Sequence, residues 1–150
     1  MLITPIPHMK SERFAELVRR VLTGKQTQLR MPEACTAISN PFGKAGDCIK
    51  FHTTEGEAYA YLRVVRSWRQ KLNAIDREDV RAHGFGLPVS PGDTQFRDGY
   101  SELHSIFANE WDAQFTDAGL GWDNNPMVCC CEFELTSVFT PEGVADATTT

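Results

Sequence analysis

The seven residues Gly24-Lys25-Gln26-Thr27-Gln28-Leu29-Arg30 gather more usable chemistry than any other stretch of the chain. Lys25 and Thr27 stand two apart, so in an extended segment they share a face, and an amine beside a hydroxyl is a conceivable base and nucleophile for hydrolysis. These two form the candidate catalytic pair. Gln26 and Gln28 carry amides that both donate and accept, as reading a base edge requires. Arg30 adds a planar fork suited to a phosphate or base edge, with an ion pair to Glu33 or Asp47 as the alternative. Further along, Arg63, Arg66, Arg69 and Lys71 interleave with Tyr61 and Trp68, a mixture of charge and aromatic faces used on single-stranded nucleic acid. Strand parity places Arg63 and Arg69 on one side and Arg66 and Trp68 on the other. The candidate nucleic-acid-binding set is therefore Lys25, Gln26, Thr27, Gln28, Arg30, Arg63 and Arg69.

Other chemistries find less support. His8, His52, His83 and His104 lie at no metal-ligand spacing and no Cys-x-x-Cys occurs, so neither metal nor cofactor is expected. Five cysteines, three of them adjacent at Cys129-Cys130-Cys131, do not form a secreted disulfide framework and suit a reducing cytoplasm. The adjacent three read as small buried hydrophobes. No apolar run approaches the ~20 residues of a membrane span. Net charge is -5, but residues 1 to 81 carry a balance of +5 and residues 82 to 150 a balance of -10. Halves kept on different faces would give a basic surface for phosphates and an acidic one for a basic partner; interleaved strands would cancel the field.

The elements that must position these residues are legible in outline. Leu2 to Ile6 reads as a short edge strand. Phe14, Leu17, Val18, Val21 and Leu22 fall at helical spacing after Ser11, with Gly24 placed for a left-handed cap and Arg13, Arg19 and Arg20 on the solvated face. Asn40 to Asp47 is turn chemistry leading into a strand at Cys48–His52. A hairpin at Glu55-Gly56 would return through a strand from Glu57 to Val65 that continues to Arg69. Asp76 caps a short helix ending before Gly84, and Gly84 to Gly92 reads as a loop or lid. A second amphipathic helix spans about 97 to 115, with Tyr100, Leu103, Ile106, Phe107 and Trp111 at its apolar positions. Met127 to Phe133 reads as a buried closing strand. The expected organisation is one domain over 1–140 and a disordered polar tail over 141–150.

The order of motifs resembles the phage-type ASCH family, relatives of the RNA-binding PUA barrel, over roughly residues 1 to 138. Gly24 to Arg30 is similar to that family's Gly-x-Lys-Thr-Gln-Thr-Arg signature. Pro41-Phe42-Gly43-Lys44-Ala45-Gly46-Asp47 resembles its Pro-x-Gly-x-x-Gly-Asp entry to a barrel strand. Leu72 to Gly84 resembles its Leu-x-x-Ile-x-x-Glu-Asp-Ala-x-x-Glu-Gly element. Trp111-Asp112, followed by Trp122 and Asn125-Pro126-Met127-Val128, resembles its Trp-Asp and Trp-x-x-Asn-Pro-x-Val. The resemblance implies an α+β fold, a small PUA-like β-barrel with an N-terminal helix and inserted helices.

The resemblance also implies a nucleic-acid-binding domain for RNA or single-stranded DNA, able to recognise a modified base. In the hydrolase branch the cleft uses a signature lysine, a threonine two or three residues on and a distant glutamate. Aligned without a gap, those first two positions hold Gln26 and Leu29; with a one-residue gap they hold Lys25 and Gln28. Neither alignment keeps both groups, so a binding module is the primary expectation. The alternatives are a metal-independent nuclease or acetylated-cytidine amidohydrolase, and a scaffold for a host or phage protein partner. Phage origin would place the chain in the bacterial host's cytoplasm.

Overall fold

The computed structural model of the protein describes residues 2–3, 11–35, 41–52, 58–85, 101–140 and 143–146. Two long strands carry the architecture, β4 (Ala58–Lys71) and β5 (Met127–Thr140), paired antiparallel along most of their length. Around them stand β1 (Leu2–Ile3), β2 (Gln28–Pro32), β3 (Cys48–His52) and β6 (Gly143–Asp146). The order across the sheet is β1-β3-β4-β5-β2, with β6 also on β5. β1 is an edge strand, parallel to β3; the other pairings are antiparallel. The helices are α1 (Ser11–Leu22), α2 (Arg77–Ala82) and α3 (Glu102–Phe115).

Two register shifts interrupt the β4–β5 ladder, between Tyr61 and Leu62 and between Val64 and Arg66. An extra residue on one strand bends it and increases its twist, so these bulges help curl the sheet into a half-barrel. The second shift also corrects the strand parity expected for the arginines. Arg63, Arg66 and Trp68 pair with Glu134, Glu132 and Cys130, alternate positions of β5, and so share one face. Arg69 pairs with Cys129 on the other face. The extra residue at Val65 is what exchanges the sides.

Both faces of the sheet are covered, so β5 is apolar at consecutive positions rather than alternate ones. Cys129, Cys131 and Phe133 join Leu62, Val64, Ile49 and Phe51 in a core that α1 closes with Leu17 and Val21. Val128 and Cys130 join Leu103, Phe107, Trp111 and Trp122 in a second core under α3. Burying one such aliphatic side chain stabilises the fold by about 1.5–3 kcal/mol.

Local chemistry fixes the connections. Gly24 takes φ +77° after α1. The turn before β3 is pinned by Val64 N–H donating to the Asp47 carbonyl at 2.8 Å and Ser67 Oγ donating to the Gly43 carbonyl at 2.6 Å. The Asp76 carboxylate accepts the Asp79 N–H at 2.8 Å and caps α2. Before β5, Asp112 Oδ1 accepts the Trp122 N–H at 2.7 Å and Trp111 Nε1 donates to the Leu120 carbonyl at 2.8 Å. The Glu55-Gly56 hairpin, the loop over 86–92 and Tyr100 lie outside the described residues.

The terminal segment departs from the polar tail expected after Pro141. Gly143–Asp146 pairs with Ser137–Thr140. β2 occupies only the Val128–Glu132 portion of its side of β5, and the remaining backbone donors and acceptors are a template for another strand. The match is too short to leave a periodic signal. Among the described residues no helix is long and apolar enough to cross a membrane.

Candidate functional site

β2 forms one edge of the sheet, and α1 and α3 reach past it from opposite faces, leaving a cleft of about 350 Å³ between them. α1 contributes Glu16, Leu17 and Arg20; the approach to β2 contributes Gln26, Leu29 and Arg30. His83 and Phe85 follow α2, and Phe107, Glu110, Trp111, Gln114 and Phe115 come from α3. The described wall therefore mixes polar and charged side chains with aromatic ones. Among the described residues its charges balance, two arginines against two glutamates.

The signature divides between enclosed and exposed side chains, and Leu29 is enclosed with the rest of β2. Gln26, Gln28 and Arg30 are buried, whereas Lys25 and Thr27 are exposed and absent from the cleft lining. This corrects the expectation that Lys25 and Thr27 meet inside it. Thr27 is held by its backbone instead: its N–H donates to the Ala82 carbonyl at 2.7 Å and its carbonyl accepts the Phe133 N–H at 2.9 Å. Those two bonds tie β2 to the end of α2 and to β5, and they set the parity of the whole segment.

The inward residues form a connected network. Arg20 Nε donates to Gln26 Oε1 at 3.1 Å, and Gln26 Nε2 donates to the Gln28 carbonyl at 2.8 Å. Gln28 Nε2 donates to Asp79 Oδ1 at 2.9 Å while its Oε1 accepts from Arg30 Nη1 at 2.6 Å. Both amides are thus engaged within the protein. Gln28 is not among the residues of the cleft wall, and its amide links Arg30 to Asp79.

Arg30 is fully enclosed, its side chain 0% exposed. Its partner is Asp79, with Nη2 3.5 Å from Oδ2, and neither Glu33 nor Asp47. Nη1 also lies 2.8 Å from His83 Nε2, and Nε has no hydrogen-bond partner among the described residues. The guanidinium stands 5.4 Å from the Trp68 ring centroid, with Arg66 4.0 Å from the same ring. Burial lowers the pKa of Arg30, with Cys130 and Asp79 opposing the shift. His83 is pushed well below 6.5, first by burial and then by the charges of Arg30 and Arg20. The imidazole is therefore neutral at pH 7.

Arg63 and Arg69 are not brought to the cleft. Arg63 pairs with Glu134 on the exposed sheet surface, and Arg69 Nη2 donates to Glu33 Oε2 at 2.7 Å. Arg20 was expected on a solvated face, yet it packs over Phe85 at 5.2 Å and enters the wall. Gly84 permits this: at φ +89° a Cβ there would stand 2.7 Å from Arg20 Cδ. Sequence reasoning also missed His83, Phe85, Glu110 and Gln114. Glu110 and Gln114 lie four apart beside Phe107 and Trp111, a polar pair within an apolar stripe, which was the available signal.

No family model matches the chain, and no curated protein sequence matches it. Solved structures do resemble it. An ASCH domain from Lactobacillus crispatus JV V101 superposes with a TM-score of 0.56 at 8% identity, over 89% of this chain and 79% of that one. A DUF984 protein from Enterococcus faecalis V583 gives 0.58 at 15% identity, over 85% and 71%. The fold is ASCH-like. Its arrangement, α+β with a curled half-barrel sheet and inserted helices, is the one the four sequence landmarks imply.

Proposed function

We propose that the chain is a nucleic-acid-binding ASCH-like domain of phage or prophage type, which holds RNA or single-stranded DNA with one unpaired base in the cleft between α1 and α3. The observation that carries this is the cleft itself: open, of a size for one base, and lined among the described residues by four aromatic side chains with two arginines against two glutamates. Aromatic faces stack bases of any sequence, and the described lining, without net charge, gives a phosphate no particular attraction. The phage type rests on the four sequence landmarks, and a bacterial cytoplasmic setting follows from it. The hydrolytic alternative draws no support from Lys25 and Thr27, whose side chains stand outside the cleft.

Fluorescence anisotropy with labelled RNA and single-stranded DNA, run from low to moderate salt, tests the proposal. Saturable binding at low salt, weakened by filling the cleft through Leu29→Trp, is expected. No binding at low salt would sink it and leave the protein-scaffold alternative.

A further inference from the structure

The contact between Arg30 Nη1 and His83 Nε2, at 2.8 Å, fixes more than a distance. A guanidinium has five N–H donors and no acceptor, so this is a hydrogen bond only if Nε2 is bare and accepts. The proton of the neutral ring then sits on Nδ1. Among the described residues nothing accepts from Nδ1, and His83 is part of the cleft wall. Phe107 meets the imidazole at 66° with centroids 5.3 Å apart, which restrains the plane of the ring.

Arg30 itself is poorly explained as a stabilising residue. Its nearest carboxylate oxygen is 3.5 Å away and its Nε is buried without a partner among the described residues. A buried charge with incomplete partners costs free energy rather than supplying it. What Arg30 does accomplish is to hold the proton of His83 on one nitrogen. Among the described residues of the wall two arginines are offset by two glutamates, which gives an anion little net attraction, while the four aromatic residues beside His83 suit a flat ring.

We infer that His83 contacts the ligand, donating from Nδ1 to a ring nitrogen or carbonyl oxygen of an uncharged heteroaromatic ring, and that Arg30 is the positioning residue that keeps the proton there. This rests on the cleft being the binding site. The test uses the full chain with 15N-labelled histidine, the four unmodified ribonucleosides and inorganic phosphate. In the free protein at pH 7, His83 shows the nitrogen shifts of the Nδ1–H tautomer. Saturation with at least one nucleoside moves the Nδ1 resonance, and phosphate leaves it in place. His83→Phe, checked for folding by thermal melting, loses about tenfold in affinity for that nucleoside, the equivalent of one hydrogen bond. Arg30→Met turns the ring into a mixture of tautomers and weakens the same nucleoside severalfold. Should either variant fail to fold, the wild-type resonances still decide. A ring protonated on Nε2, an Nδ1 resonance unmoved at saturation, or phosphate binding as tightly as nucleosides overturns the inference. RNA binding without any nucleoside engaging His83 removes this inference and leaves the binding proposal standing; no binding of RNA, DNA or nucleoside removes both.

Discussion

His83 and Arg30 are two basic groups 2.8 Å apart, and enclosure makes the imidazole rather than the guanidinium give up its charge. The consequence for stability has a definite sign. In the unfolded chain His83 takes up a proton as pH falls through about 6.5, while in the folded chain it stays neutral well below that value. The unfolded state therefore binds more protons in this window, and stability that is complete above pH 6.5 is lost as the pH falls. The limiting slope is about 1.4 kcal/mol per pH unit. Urea unfolding at pH 7.5 and 5.5 should show wild type losing ~1 kcal/mol more than His83→Gln. Equal losses would mean that His83 is accessible to protons in the fold. At this scale the sequence located the signature but not its inward face: Lys25/Thr27 and Gln26/Gln28/Arg30 are equally valid alternations, and the choice is made by the Thr27 backbone bonds to Ala82 and Phe133, far away in the chain.

Among the elements, those marked by turn or cap chemistry were legible. Asp76, Gly24 and the Gly43 to Asp47 turn stand where their side-chain or backbone preferences put them. The bulge at Val65 was not, because neither glycine nor a turn residue marks the extra position, and it moved Arg63 to the face of Arg66 and Trp68. The pairing of β6 was illegible for a related reason: four residues cannot display a period. β5 also has a chemical consequence. Burial raises the thiol pKa of Cys129 and pushes Cys130 up to about 11 and Cys131 up to about 12, so few thiolates exist there at neutral pH. Cys48 is exposed. Iodoacetamide at pH 8 should alkylate Cys48 first and leave the three β5 cysteines unmodified until urea unfolds the sheet, which peptide mass mapping resolves. Rapid labelling of Cys130 in the native protein would show that the sheet opens locally.

For the molecule as a whole, the division of charge along the chain does not survive folding on the β4–β5 surface. β4 from the basic half lies against β5 from the acidic half, setting Arg63 beside Glu134 and Arg66 beside Glu132. Exposed pairs of this kind add little stability, but they remove the continuous basic stripe that phosphate tracking would need. The affinity for RNA should accordingly fall only weakly with salt, with a log–log slope of magnitude about 2 or less, against 6 or more for a groove contacting many phosphates. Anisotropy titrations at several salt concentrations measure it, and a steep slope would point to a basic surface beyond the described residues.

The pairing of β2 with β5 imposes an order on how the molecule is made. Gln28 finds its partner at Glu132, so the edge that floors the cleft forms only after β5 has been made, some hundred residues later (132 against 28). Contacts so distant in sequence are slow to close. Until then Arg30 has neither its enclosure nor the neighbouring strand, and a nascent chain carries the signature without a pocket behind it.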